Sequence, residues 1–495
     1  MTLLTTPGAT APRKRSRAGW AIACTAAGLL LGGPASRPAS AEPALADPPS
    51  AKTDAPTALD RYVAEEDPDY GWRLVGRHEH PLGVEIVAEL TSQAWRAADE
   101  VDRPVWKHSL VIVVPEGADP TTAMLFIGGG RNGADPPGGA NDQVRAAALT
   151  THSVVAELGM VPNQPLEIGA DGQGRYEDDL LARSWNKYLE TRDPTWVAQL
   201  PMAKSAVRAM DAVQEILKQE QPELAIERFT VAGASKRGWT TWLTAAVDPR
   251  VVAIAPIVID VLNVDESMRH HHAAYGEWSP ALRDYESQGL AKLFLGDQGE
   301  PILKLVDPYE YRQRYTMPKC LINATGDEFF LPDSSRFYFD QLPGEKHLCY
   351  VPNAGHSLKG SNALDTLIAF HHSVVHQVER PSITWRPGNG GQMTLVCSTE
   401  PTRVTLFQAD NPAARDFRKP VIGDAFKPER LAVGADLQAT ADITTPAEGW
   451  RASFVQAEFD IGAATPWRVT TPVWVTPDVL PHAEGKLPPP PVGEG

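Results

Sequence analysis

The sequence predicts an α/β protein: a mostly parallel sheet with helices on both faces, followed by a smaller all-β region. Three observations carry this. Between residues 84 and 378 short apolar runs alternate with stretches of helical spacing, the rhythm of β-α-β units. Residues 251–259 are continuously apolar, which suits a strand buried on both faces. After Pro381 come short strand-like runs (MTLVCST, RVTLFQA, RASFVQAEF, PVWVTP) separated by Pro, Gly and Asp clusters. That pattern fits a β-sandwich of about a hundred residues over 381–480.

The first 41 residues read as a signal peptide. Arg13, Lys14, Arg15 and Arg17 form a basic start, and residues 20–31 are apolar but too short to span a bilayer. Ala39-Ser40-Ala41 fits a small-residue cleavage site. The mature chain is therefore expected to be exported, with no stable membrane insertion. Residues 42–58, rich in Ala, Pro, Asp and Thr, read as a flexible leader.

The expected hydrolase-sized unit covers 59–380. Strands are predicted at 84–95, 109–114, 123–127, 153–160, 228–232, 251–259, 318–324 and 347–351. Helices are predicted at 141–151, 201–220, 237–246 and 362–378. The prolines of VPNQPLEIG exclude regular structure there. Two insertions interrupt the rhythm, at 169–200 and 262–315. The second is too long for a structureless loop and reads as a partly helical lid. The end, 481–495, with KLPPPPVGEG, reads as a disordered tail.

The 495 residues carry 46 Lys and Arg against 62 Asp and Glu. Five of those basic residues and none of the acidic ones precede Glu42, so the remainder has a formal charge of −21. Such a chain repels nucleic acid and anionic membranes. Cys320, Cys349 and Cys397 are an odd, sparse set and no disulfide framework. Cys320 with Cys349 is the one pairing to consider; burial as small hydrophobes is the simpler reading.

The chemistry centres on TVAGASKRGWTT, residues 230–241. A β-branched run ends in Gly233, Ser235 follows, and a helical segment begins. This nearly spells the nucleophile elbow G-x-S-x-G of α/β-hydrolases, with the second glycine one place late at Gly238. A serine hydroxyl needs a base, and the base needs a carboxylate. In α/β-hydrolases these lie at strand ends in the order Ser, acid, His. Asp327 follows the strand KCLINATG and His356 follows HLCYVPNAG. Asp260 and Glu328 are the alternative acids. His347, His371, His372 and His376 compete with His356, but the last three fall in a helical pattern.

The expected oxyanion donors are the N–H of Lys236 and those of Gly129 or Gly130 in FIGGGRNG. Arg237, Arg131, His271 and Trp278 are candidates for binding substrate, which is read as a small molecule or a peptide. Trp185, Trp196, Trp239 and Trp242 are further pocket candidates that mostly suit packing. No cofactor is implied. His270-His271-His272 is not expected to hold a metal: consecutive helical residues diverge, and no Cys/His set at ligand spacing accompanies them. Oligomeric state and the role of the terminal β-region stay open.

With these motifs assembled, the sequence resembles the PhoPQ-activated pathogenicity-related proteins, within the α/β-hydrolase superfamily. The likeness rests on GASKRGWTTW, VPNQPL, IGGGRNG, AIAPIVIDVLN and NATGDEFFLPDSSRFYFDQLPGEKHLCYVPNAGHSL, and it extends through FQADNPAARDFR and VWVTPDVLP. It implies an exported protein with a hydrolase fold, tied to antimicrobial-peptide resistance and to secreted growth control, with no defined substrate. The expectation is an esterase using Ser235, His356 and Asp327. A peptidase acting on cationic peptides, or a non-catalytic secreted binding protein, are the alternatives.

Overall fold

In the computed structural model, residues 55–169, 171–295 and 297–483 are described. The signal-peptide reading and most of the leader fall outside them, as does the tail from residue 484. Helix α1, Ala58–Ala64, already begins within the expected leader; Thr57 and Asp60 cap it reciprocally.

Strands β1 (Gly71–His80), β2 (Gly83–Ala94) and β3 (Val105–Pro115) open the sheet as an antiparallel meander. Next come β4 (Thr122–Ile127), α2 (Asp142–Thr151), β5 (Val154–Leu158), α3 (Glu177–Thr191) and α4 (Gln199–Glu220). The core then continues with β6 (Arg228–Ala234), α5 (Lys236–Val247) and β7 (Val251–Ile257). After the lid come β8 (Lys319–Ala324), β9 (Lys346–Val351) and a late helix over Ala363–Val375.

The spatial order is β1-β2-β3-β5-β4-β6-β7-β8-β9, and neighbours from β5 to β9 run parallel. This is the α/β-hydrolase order, and it puts the loops after β4, β6, β8 and β9 at one edge of the sheet. β6, β8 and β9 are buried almost throughout, as parallel strands covered by helices must be. The edge strand β1 is mostly exposed and polar, which hides it from hydrophobic periodicity.

Helical segments occupy both stretches expected as insertions, 169–200 and 262–315. The first contains α3 and a buried turn ending in Trp196. The second is helical, as α6 (Val264–Tyr275), α7 (Arg283–Ser287) and α8 (Glu300–Val306) joined by 3₁₀ turns. The late helix Ala363–Val375 is α9.

The C-terminal region is an antiparallel β-sandwich-like layer pair. One sheet is β10 (Ile383–Pro387), β11 (Gln392–Cys397) and β14 (Gln438–Asp442). The other is β12 (Arg403–Asn411), β13 (Lys427–Arg430), β15 (Trp450–Phe459), β16 (Trp467–Thr470) and β17 (Trp474–Thr476). A four-residue helix α10, Lys419–Ile422, links β12 to β13. The second sheet does not stand apart: β16 pairs with β9 at Thr470 and Leu348, extending the main sheet. The described residues from Pro56 on form one compact unit.

Cys320, Cys349 and Cys397 are free buried thiols. Cys320 faces His347 across β8 and β9, while Cys349 faces Ile322, so the considered pair is out of register. No helix among the described residues is long and apolar enough to cross a membrane.

Candidate active site

Ser235 sits between β6 and α5 with φ 58° and ψ −124°, a conformation costly for a residue with a side chain. Its N–H is held by the Ile257 carbonyl at 2.8 Å, and its own carbonyl accepts from Trp239 N–H. The late glycine is explained by crowding. A Cβ at Gly238 would lie 2.9 Å from the carbonyl oxygens of both Gly233 and Ile257. A Cβ at Gly233 would lie 2.7 Å from the Arg237 carbonyl. The tight packing therefore falls at residue 238, and residue 237 is free to carry a long side chain.

The structure brings Ser235, His356 and Asp327 into one hydrogen-bonded line. Ser235 Oγ and His356 Nε2 are 2.8 Å apart. His356 Nδ1 lies 2.9 and 3.0 Å from the two Asp327 oxygens. The Asp327 carboxylate is buried and also accepts from the N–H groups of Phe329 and Phe330. The Phe329 ring packs against the imidazole, with centroids 4.4 Å apart.

The alternative acids have other partners. Asp260 is buried between the hydroxyls of Tyr338 and Tyr350, which donate to its two oxygens. Burial pushes its carboxyl up to about 7, against the pull of those two hydrogen bonds. Glu328 accepts the His356 backbone N–H at 2.6 Å, so it holds the histidine's main chain and leaves the ring to Asp327. His347 pairs with Glu345, and His371 lies buried between Ser153 and Thr230.

Several substrate-binding expectations need correction. Arg237 does not line the cavity at Ser235: its guanidinium is used up by both Glu177 oxygens and the Val161 carbonyl. Burial alone would raise Glu177, yet the Arg237 contacts hold it at about 2. Arg131 is exposed and lines a separate cavity with Gly129, Gly130 and Met160. His271 is buried, its Nε2 accepts the Ser279 N–H, and burial drives its imidazole down to about 3. His270 pairs with Asp333, whereas the rings of His271 and His272 both pack on Trp278.

Trp278 does line the cavity at Ser235, a space of about 50 Å³ walled by aromatic and aliphatic side chains of the lid, α5 and the acid loop. Trp185, Trp239, Tyr285, Phe294 and Phe329 are among the other aromatic walls, with Met268 and Leu282 among the aliphatic ones. Trp196 and Trp242 pack in the core elsewhere. One ion pair enters this apolar space. Lys236 Nζ donates to Asp178 at 2.7 Å, and Tyr285 of the lid donates to the other Asp178 oxygen at 3.0 Å. Sequence reasoning missed Asp178 and Glu177; the acidic run Glu177-Asp178-Asp179 opening a helix opposite Lys236-Arg237 was the available signal.

For the oxyanion donors, Lys236 is the first residue of α5, and its N–H has no intrahelical acceptor. The Gly128 N–H is used by Leu158, while those of Gly129 and Gly130 make no backbone hydrogen bond among the described residues. Gly129 packs on Arg237, where a Cβ would meet the guanidinium at 2.6 Å.

Residues 59–418 match the family model described as PhoPQ-activated pathogenicity-related protein. The chain belongs to this family. A curated relative, autocrine proliferation repressor protein A of Dictyostelium discoideum, is 38% identical over 454 residues, which is 86% of this chain and 91% of that one. Among solved structures, acetyl xylan esterase 1 from Thermoanaerobacterium sp. is 16% identical, with a TM-score of 0.42 over 64% of this chain and 92% of that one. S-formylglutathione hydrolase from Agrobacterium tumefaciens is 14% identical, with a TM-score of 0.39 over 61% and 99%. At those scores the hydrolase fold of this PhoPQ-related protein rests on its strand order and not on these likenesses. The family match does not stop at the last hydrolase helix but continues to Arg418, inside the β-region.

Proposed function

We propose that this protein is an exported serine hydrolase, an esterase acting through Ser235, His356 and Asp327. The observation that carries the reading is the unbroken line from Oγ to Nε2 and from Nδ1 to a buried carboxylate, with its serine on a strained elbow. His356 takes the hydroxyl proton as Ser235 attacks the carbonyl, and Asp327 orients the imidazole and balances its charge. The N–H of Lys236, with Gly129 or Gly130, receives the oxyanion. The acyl-enzyme forms as the alcohol leaves with the proton from His356, and water then releases the acid by the same route. No cofactor enters this scheme. The small cavity, with its aromatic and aliphatic walls, favours a small apolar group on the ester over an extended peptide. Export is supported by the basic and apolar start of the sequence.

A second reading is a secreted signalling protein on a hydrolase scaffold without catalysis, favoured by the name of the Dictyostelium relative. A panel of short-chain and aryl esters and of peptides, assayed with the mature protein and with Ser235→Ala, separates the two. Ester turnover that falls by about three or more orders of magnitude in Ser235→Ala supports the esterase. Turnover of peptides alone replaces it with a peptidase, and no turnover of any substrate favours the signalling protein.

A further inference from the structure

Asp327 and His356 sit on separate strand-end loops, and each loop is touched by residues 415–426 of the C-terminal β-region. The Lys419 N–H donates to the Gly326 carbonyl at 2.8 Å, one residue before Asp327. The approach is so close that a Cβ on Gly326 would lie 3.0 Å from both Lys419 N and the Ala354 carbonyl oxygen. Lys419 Nζ donates to the Asn353 carbonyl at 2.8 Å, three residues before His356.

Asn353 is the junction. Its side-chain amide makes a matched pair with the Phe426 backbone: Nδ2 donates to the carbonyl at 3.0 Å, and Oδ1 accepts the N–H at 2.9 Å. Its own N–H donates to Thr325 Oγ1 at 3.1 Å, two residues before Asp327. Further along the acid loop, Arg418 donates to Ser279 Oγ, which donates to the Glu328 carbonyl. Arg415 pairs with Asp333, both buried.

We infer that the C-terminal β-region is a positioning element for the reacting groups: residues 415–426 clamp the acid loop to the histidine loop and set the separation of Asp327 from His356. The inference rests on the serine-hydrolase reading above. Asn353 and Lys419 are positioning residues, and neither lines the cavity at Ser235. The demand is physical. Catalytic groups must be held within about 0.5 Å, and a displacement of about 1 Å costs on the order of a hundredfold in rate. Loops at strand ends do not hold such tolerance unaided.

The test is Asn353→Gly. Asn353 has φ 58°, which glycine adopts freely, so the change deletes the amide contacts without adding backbone strain. On an ester turned over by the parent, kcat is expected to fall at least about tenfold with KM within about twofold. The rate of Ser235 labelling by a fluorophosphonate should fall in parallel. Lys419→Ala, at a side chain one-third exposed, should show the same split to a smaller degree, and Lys419→Arg should restore kcat. Lys419→Ala decides the matter if Asn353→Gly does not fold. Unchanged kcat in these variants beside an active parent overturns the clamp, as does a lowered melting temperature with kcat per folded molecule intact. A parent that neither turns over esters nor reacts with the probe overturns the Ser235 reading and the clamp with it.

Discussion

Asp327 and Asp260 are both buried carboxylates following strands of the same sheet, and their neighbours divide the work between them. Asp327 meets an imidazole, whereas Asp260 meets two phenols. Asp327→Asn is therefore expected to lower kcat by about four orders of magnitude, because the amide cannot hold the productive tautomer. Asp260→Asn should leave kcat within a few-fold and change the pH dependence of stability instead. The Asp260 carboxyl is pushed from 3.8 to about 7, so the folded protein binds that proton more tightly than the unfolded chain. Its stabilising contribution is full below about 3.8 and is lost as pH rises towards 7. Thermal melts of Asp260→Asn from pH 4 to pH 7 should show a shallower decline than the parent; an equal slope would refute this.

At the same scale, the order Ser235, Asp327, His356 was legible because each follows a strand-like run. The competition among Asp327, Asp260 and Glu328 was not, because a sequence places carboxylates at strand ends but not against an imidazole. Arg237 misled for a related reason: its partners Glu177 and Val161 are some sixty and seventy-six residues away.

The elbow shows what an element adds. β6, the turn and α5 read correctly from a β-branched run and helical spacing, yet the shifted glycine made sense only with β7 beside it. Gly238→Val should remove the folded state's room for the turn. Overpacking of this kind costs about 1–3 kcal/mol, and the backbone contacts of 2.9 Å put it at the upper end or beyond. A chemical-denaturation midpoint equal to the parent's would contradict that placement. The polar edge strand β1 escaped the sequence because none of its residues is buried, so no apolar alternation marks it. The lid was recognisable as helical insertion, but its wall of aromatics around Ser235 depends on tertiary packing that spacing does not encode.

For the whole molecule, the sequence showed a change of character at Pro381 and suggested a second module. The chain uses that module otherwise. β16 lies against β9, the Thr470 hydroxyl accepts the Tyr350 N–H, and Trp467 is fully buried against Phe370 and His347. A local composition shift marks where a sheet changes from parallel to antiparallel but not whether the two parts share an edge. A fragment of residues 56–380 would leave the β9 edge and its apolar cover open to water, and such edges template aggregation. It is expected to be insoluble or unfolded, whereas a soluble fragment with native melting would show the β-region to be dispensable.

Intact-mass analysis after fluorophosphonate treatment reads out whether the Ser235 hydroxyl is an activated nucleophile. One adduct per chain is expected, mapped to Ser235 and absent from both Ser235→Ala and His356→Ala. A well-folded parent that stays unmodified, or an adduct on another residue, would contradict it.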